Sequence, residues 1–208
     1  MPSKVTIAFA SASAALILLG TLALFKAASL ARIADWQVVV PVVLSDDGHM
    51  KVPFRVKSDG RYVADLDVDR LLPQAEIERL LCLGWGPQSG PSGVIIAWQL
   101  RSEGEIAAEG KTPCNGWSEG YQEKVGKPLA QFSLAAEKTS LLIVHFDQFD
   151  PKLLTLHPRI AIRLEPLEHK AFVTNALGLR TVGVALSIVG IIGAVFVARS
   201  WRRRDDAR

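Results

Sequence analysis

Two long apolar segments stand near the ends of the chain, and short runs of alternating apolar and polar positions lie between them. The first segment, Val5 to Phe25, has no charged residue over 21 positions and is bounded by Lys4 and Lys26. A helix of this length spans about 30 Å, which matches the hydrocarbon core of a bilayer. The segment therefore predicts an uncleaved transmembrane anchor. The alternative is a cleaved signal peptide with Ser29-Leu30-Ala31 as its cleavage site, although a signal has an apolar region of only roughly 7–15 residues.

The second segment, Thr181 to Ala198, has 18 residues without a charge and predicts a second transmembrane helix. Ala176 to Leu179 extend this helix toward the middle of the chain, and Arg180 would reach the headgroups from the membrane interface. Basic residues mark the cytoplasmic side of a span. Both termini are therefore expected in the cytoplasm of a bacterium, with the middle of the chain held in the periplasm by the inner membrane. The basic cluster that carries this topology comprises Arg199, Arg202, Arg203 and Arg204.

The middle of the chain has the period of two that is typical of β-strands. Tyr62, Ala64, Leu66 and Val68 alternate with more polar positions, which predicts a strand with one buried face. No strand–helix–strand alternation appears. The prediction is an all-β antiparallel sandwich, jelly-roll or immunoglobulin-like, flanked by two transmembrane α-helices. The predicted strands are Trp36–Leu44, Lys51–Val56, Arg61–Val68, Val94–Leu100, Glu105–Ala108, Leu129–Leu134, Leu141–Phe146 and Arg159–Leu164, with one short helix at Gln74–Leu81 and a long loop at Lys111–Pro128.

These patterns divide the chain into four parts. Residues 1–28 form the N-terminal anchor, and residues 29–170 form the extracytoplasmic β-sandwich domain. Residues 171–199 form the C-terminal transmembrane helix, and residues 200–208 form a short basic cytoplasmic tail.

Small residues recur at helical spacing in both apolar segments. The first segment carries Ala8, Ser11, Ala12 and Ala15, and the second carries Gly183, Ser187, Gly190 and Ala194. Such stripes let helix backbones approach closely in lipid. They indicate packing of one helix on the other or on a partner subunit, unless they only reflect how common alanine and glycine are in membrane spans.

The two cysteines lie in similar local sequences, Cys82-Leu-Gly-Trp85 and Cys114-Asn-Gly-Trp117. An even pair in an extracytoplasmic domain predicts a disulfide, with two free buried thiols as the alternative. A Cys82–Cys114 bond would bring Trp85 and Trp117 together. With Tyr121 as a third candidate, these rings would form an aromatic platform for a sugar, a peptide or a partner's side chain. The alternative is that the rings only cover the disulfide.

The sequence shows little catalytic chemistry. It lacks a nucleophile elbow, a phosphate-binding loop and a cysteine in a catalytic context. Its four histidines are not spaced as metal ligands. His145 lies near Asp147 and Asp150, which is either an acid–base site or an ordinary strand end with solvated acids. We therefore expect no enzyme activity, cofactor or metal.

Three alternating carboxylates, Asp65, Asp67 and Asp69, share one face of a predicted strand. They lack the glycine-containing loop and terminal glutamate of a calcium site, so we interpret them as a solvated strand face. The net charge is +3 and much of the basic excess lies in the last ten residues. Because the middle of the chain has no basic face, nucleic-acid binding is not expected.

These features together favour a membrane-anchored binding module. It would recognise a protein, a glycan or a lipid on the periplasmic side, as part of a membrane assembly. One alternative is an immunity or inhibitor protein directed against a toxin delivered to the periplasm. Another is an assembly subunit that acts through its membrane helices.

Overall fold

The computed structural model describes residues 4–45, 48–83, 93–112, 119–121 and 123–205. The chain divides into two compact units, one made of residues 1–35 with 169–208 and the other of Trp36–Glu168. In chain order the elements are α1 (Lys4–Ala34), β1 (Gln37–Pro41), β2 (His49–Arg55), β3 (Gly60–Asp69), α2 (Gln74–Leu80), β4 (Ile95–Ser102), β5 (Glu105–Thr112), β6 (Glu119–Tyr121), β7 (Lys124–Leu134), β8 (Thr139–Gln148), a 3₁₀ helix (Pro151–Leu156), β9 (Arg159–Leu164) and α3 (Pro166–Asp205).

The unit Trp36–Glu168 consists of two antiparallel sheets. One sheet has five strands in the order β1-β9-β3-β7-β6, and the other has four strands in the order β2-β8-β4-β5. Burial alternates along β2 and β8, so each strand directs every second side chain into the core between the sheets. The predicted β-sandwich between two long apolar helices is thus confirmed. Fully buried side chains in its core include Tyr62, Leu66, Ile96, Leu142 and Ile160.

Two parts of the sandwich differ from the predicted elements. The segment Lys111–Pro128, expected as a loop, contains β6 and the first residues of β7. Gly126, Lys127 and Pro128 conceal this strand, because a lysine occupies a core position where the period of two requires an apolar residue. The 3₁₀ helix was not predicted either. It follows Asp150, whose carboxylate accepts a hydrogen bond of 2.9 Å from the backbone N–H of Lys152.

The first and last strands of the sandwich are neighbours. Gln37 pairs with Arg163, so the chain enters and leaves the sandwich at one end, which we call the entry end. There Trp36 packs edge-on against Tyr62 with ring centroids 5.4 Å apart. The opposite end, which we call the far end, holds the last residues of β1 and β3 and the first residues of β7 and β9.

Both long helices are apolar enough to cross a membrane, over Val5–Ala34 and Pro166–Arg202. Their large apolar side chains point outward, and Phe25 and Phe196 are 78% and 76% exposed. Lipid contact would satisfy such a surface, whereas water would not. The predicted association with a membrane is therefore supported.

Within their unit, α1 and α3 pack antiparallel through small residues. A Cβ added to Gly190 would lie 2.7 Å from Ile17 Cγ1, and one added to Gly193 would overlap Ser13 Oγ. This register places Lys26 level with Arg180 and Lys4 level with Arg199 to within about one turn. The two charge-free segments therefore lie side by side over the same length.

The buried positions of the helix pair repeat every seven residues. They are Thr6, Ser13, Gly20, Ala27 and Ala34 on α1, and Ala176, Gly183 and Gly190 on α3. A repeat of seven keeps one face of each helix toward its neighbour. In the first segment the small-residue stripe does not face α3, so its predicted role in packing the two helices together was wrong. Its members Ala8, Ser11, Ala12 and Ala15 are exposed. In the second segment Gly183, Ser187 and Gly190 face α1, whereas Ala194 is exposed.

Candidate functional site

Polar side chains gather on the outer face of the four-stranded sheet, near the far end of the sandwich. His49, His145, Ala97 and Lys111 stand side by side across the four strands. The neighbouring row of outward-facing residues, two positions along each strand, contains Lys51, Ile143, Gln99 and Glu109. They share the outer face because the alternate positions, such as Val144 and Leu142, fill the core.

All residues of these two rows except Lys51, together with Trp98 and Gly110, line an open groove of about 550 Å³. This volume lies within the range of small-ligand sites, about 300–1,000 Å³. Ala97, Trp98 and Ile143 provide its apolar side chains, and its polar side chains are His49, Gln99, Glu109, Lys111 and His145. A second depression, of about 470 Å³, adjoins the first at His49 and is lined by residues of β1, β2 and their connection.

Two residues that line the groove, Lys111 and His145, are ion-paired with Asp147. Lys111 Nζ lies 2.5 Å from Asp147 Oδ2, and His145 Nε2 lies 3.3 Å from Asp147 Oδ1. The hydrogen bond from Lys111 lowers the pKa of Asp147, against a smaller opposing effect of burial, and the charges of Lys111 and His145 lower it further. The His145 ring stacks on His49 with centroids 4.2 Å apart.

The candidate acid–base site is assembled only in part. His145 and Asp147 are in contact, but Asp150 is the N-cap of the 3₁₀ helix. Among the described residues, no group of three or more histidine, cysteine, aspartate or glutamate side chains could hold a metal ion.

The other polar contacts in the groove connect neighbouring strands. Gln99 Nε2 donates a hydrogen bond of 3.2 Å to Glu109 Oε2. Arg101 Nε donates one of 2.8 Å to Gln99 Oε1. Gln99 is thereby held on both sides of its amide, which fixes the direction of its remaining N–H.

The aromatic residues predicted as a binding platform fall largely outside the described part of the chain. Trp85, Trp117 and Cys114 lie outside the described residues, and of Tyr121 only the backbone, in β6, is described. The residues that border these segments lie at the far end. Val94 leads into β4 there, and Thr112 ends β5 there.

A buried lysine holds the two ends of the segment that contains Trp85. Lys127 is only 2% exposed, and its Nζ donates hydrogen bonds of 2.8 Å to the carbonyl of Leu81 and 3.2 Å to that of Val94. The backbone N–H of Val94 also donates to the carbonyl of Leu80. Burial lowers the pKa of Lys127 to about 8. Sequence reasoning missed this residue, since it treated the segment as a loop.

Cys82 lies beside the same two chain ends. It is buried, it is not a free thiol, and its φ of 55° is left-handed. A Cβ at Gly93 would lie 2.5 Å from Cys82 Sγ, so only glycine fits against this cysteine. Because Cys114 lies outside the described residues, the Cys82–Cys114 disulfide stays a prediction.

The three alternating aspartates are not a solvated face, and that interpretation was wrong. Asp65 is 1% exposed and pairs with Arg163 at 2.8 Å. Asp69 binds both Arg159, at 2.5 Å, and His157 Nδ1, at 3.0 Å. The arginines belong to β9, whose alternation of Arg159 and Arg163 with apolar residues places the opposite charges beside β3.

Comparisons with known proteins give no family. No family model matches the chain, and no curated protein matches it. The sandwich resembles two solved structures. The first is the crystal structure of a protein from Sulfurospirillum deleyianum, with 10% identity and a TM-score of 0.44 over 63% of this chain and 98% of the other. The second is the pre-peptidase C-terminal domain of a collagenase from Bacillus anthracis, with 13% identity and a TM-score of 0.27 over 62% of this chain and 88% of the other. Fold and anchors together define a membrane-anchored β-sandwich module.

Proposed function

We propose that the protein is a binding module of a bacterial inner membrane, with both termini cytoplasmic and its sandwich in the periplasm, where it recognises a partner. One observation carries the proposal. The groove, the buried Lys127, Cys82 and the borders of the segments with Trp85 and Trp117 all lie at or beside the far end. The chain enters and leaves the sandwich at the opposite end.

The sandwich itself is inferred to be a jelly roll. Strands β1, β9, β3 and β7 form one sheet and β2, β8, β4 and β5 the other, so β1, β2, β3 and β4 alternate between the sheets. An immunoglobulin-like sandwich would instead pair its first two strands within one sheet. The short β6 is then an additional edge strand.

We also infer that Cys82 and Cys114 form a disulfide. The oxidising periplasm permits such a bond, and Cys82 is already buried and is not a free thiol. The bond would hold Trp85 and Trp117 close to each other at the far end, near the hydrogen bonds that Lys127 donates to Leu81 and Val94.

The assembly hypothesis is less favoured. Gly183, Ser187 and Gly190 are occupied by the contact with α1 in the same chain, so they do not offer a surface to another subunit. No contact among the described residues favours an immunity role. Binding at the far end therefore remains the better supported function.

The test is cross-linking of the full-length chain in bacterial membranes, followed by mild solubilisation and mass spectrometry of captured partners. The variants are Trp85→Ala and Trp117→Ala, with Trp201→Ala in α3 as the matched control. We expect a partner that the native chain and Trp201→Ala capture and the other two variants lose. Capture of the same partner by all variants would place the contact elsewhere, and capture of no protein, glycan or lipid would contradict the proposal.

A further inference from the structure

The groove on the outer face of the four-stranded sheet has a composition that selects a particular kind of ligand. We propose that it binds an uncharged polyhydroxylated ligand, that is, a neutral sugar. This inference rests on the proposed binding function and names one ligand class for it. It concerns the groove alone and is independent of Trp85 and Trp117.

Charge is the first discriminating property. Lys111 is paired with Asp147, and Glu109 accepts a hydrogen bond from the neutral amide of Gln99. The lining of the groove therefore contains one lysine, Lys111, and one glutamate, Glu109, so neither sign of charge dominates. An anionic ligand such as a phosphate would need an excess of cationic donors. The groove lacks this excess, because Lys111 is already paired with Asp147.

The balance of donors and acceptors is the second property. Lys111 and Gln99 retain N–H groups for a ligand. The ammonium of Lys111 has three donors, of which one contacts Asp147, and the amide of Gln99 has two, of which one contacts Glu109. Glu109 retains acceptor capacity in its carboxylate. A hydroxyl group both donates and accepts, so a row of alternating donors and acceptors suits a ligand with several adjacent hydroxyls.

The shape of the groove is the third property. Ala97 lies between the taller side chains of His145 and Lys111, so the floor of the outward row is low at this point. Ile143 continues the apolar floor in the next row. An apolar strip with polar groups on both sides matches a sugar ring, which presents C–H groups on its face and hydroxyls around its rim.

The test uses the full-length chain in lauryldimethylamine oxide, because that detergent has no sugar headgroup. Saturation-transfer NMR would be recorded with three neutral trisaccharides, chitotriose, maltotriose and cellotriose, and with trigalacturonate as the acidic counterpart. We expect transfer to at least one neutral trisaccharide and none to trigalacturonate. Transfer to trigalacturonate alone, or to no trisaccharide, would overturn the inference.

Three variants locate the binding. Ala97→Leu raises the floor of the groove and should abolish transfer. Ala135→Leu makes the same substitution at an exposed position of the entry end and should leave transfer unchanged. Gln99→Ala should raise the Kd about fivefold, as expected for one lost hydrogen bond. Equal transfer in Ala97→Leu and the native chain would overturn the assignment to this groove. If sugar binding fails while partner capture at the far end persists, only this inference falls; if both fail, the proposed function falls with it.

Discussion

Gly20 of α1 and Gly183 of α3 face each other across the helix pair. A Cβ on Gly20 would lie 2.7 Å from the carbonyl oxygen of Gly183, and a Cβ on Gly183 would lie 2.9 Å from the carbonyl oxygen of Gly20. Both distances are shorter than side chains tolerate, so the two backbones touch where no side chain fits. Close approach of this kind strengthens van der Waals packing, which is a main source of helix association in lipid.

This antiparallel register predicts a specific cross-link. A Cβ on Gly193 would lie 3.4 Å from Ser13 Cβ, close to the separation of about 3.5–4.5 Å in disulfides. The double variant Ser13→Cys with Gly193→Cys should therefore oxidise rapidly in membranes and migrate faster on a denaturing gel without reductant. Ala12→Cys with Gly193→Cys is the control, because Ala12 is exposed, and it should not cross-link. Equal cross-linking of both pairs would rule out this register.

A larger residue at Gly183 should separate the helices. Gly183→Leu would place its side chain against Gly20 and Leu24, whereas a Cβ at Gly178 meets no atom within 4 Å. We expect Gly183→Leu to abolish the Ser13–Gly193 cross-link when combined with those cysteines, and Gly178→Leu to preserve it. Rapid cross-linking in the Gly183→Leu background would show that the contact can adjust and that the glycine is not required.

Much of this architecture can be read from the sequence, for physical reasons that also explain the failures. The alternation in Tyr62–Val68 and the charge-free Val5–Phe25 are direct consequences of burial on one face and of lipid on all sides. Lys127 and Asp65 could not be found this way. Each is a charged residue in a buried position, and only its partners on other strands, the carbonyls of Leu81 and Val94 or the guanidinium of Arg163, make that burial tolerable.

The candidate site was the least predictable part, because it depends on register. The sequence places His49 and His145 almost a hundred positions apart, and only the pairing of β2 with β8 stacks their rings. Gln99 and Glu109 likewise meet because β4 and β5 form a hairpin with one bulge. Local patterns predict which face a side chain takes, but not which side chain stands opposite on the next strand.

The buried Lys127 should make the stability of the sandwich pH-dependent. Its pKa is about 8 in the folded chain against an ordinary value of 10.5, so folding releases a proton between these pH values. The unfolding free energy contributed by this residue therefore rises with pH across that window, by on the order of 3 kcal/mol.

The measurement is the difference in unfolding free energy between the native chain and Lys127→Met, by urea titration monitored through tryptophan fluorescence. The unfolding free energy of the native chain should rise relative to that of Lys127→Met as the pH rises from about 8 to 10.5. Lys57→Met, which alters an exposed lysine, should follow the native chain throughout. A difference for Lys127→Met that does not change with pH would contradict a buried, charged lysine.

A disulfide between Cys82 and Cys114 would stabilise the folded sandwich. In the chain-entropy model, closing the loop of about 33 residues between Cys82 and Cys114 contributes about 3–4 kcal/mol. Peptide mapping without reductant should recover the two cysteines in one linked fragment. Cys82→Ala and Cys114→Ala should each lower the urea midpoint by a similar amount, and the double variant should lower it no further. Alkylation of Cys114 in the native, unreduced protein would disprove the bond.

The arginine cluster after α3 predicts the orientation of the chain in the membrane. Arg199, Arg202, Arg203 and Arg204 should hold this end in the cytoplasm, and the antiparallel helix pair should then place the sandwich outside. A membrane-impermeant maleimide applied to spheroplasts should label Lys57→Cys in the sandwich at once and Ala207→Cys in the tail only after lysis. Both cysteines would be introduced into a Cys82→Ala, Cys114→Ala background, so that each variant carries one thiol. Labelling of Ala207→Cys in intact spheroplasts, with Lys57→Cys protected, would reverse the topology and remove the sandwich from the periplasm.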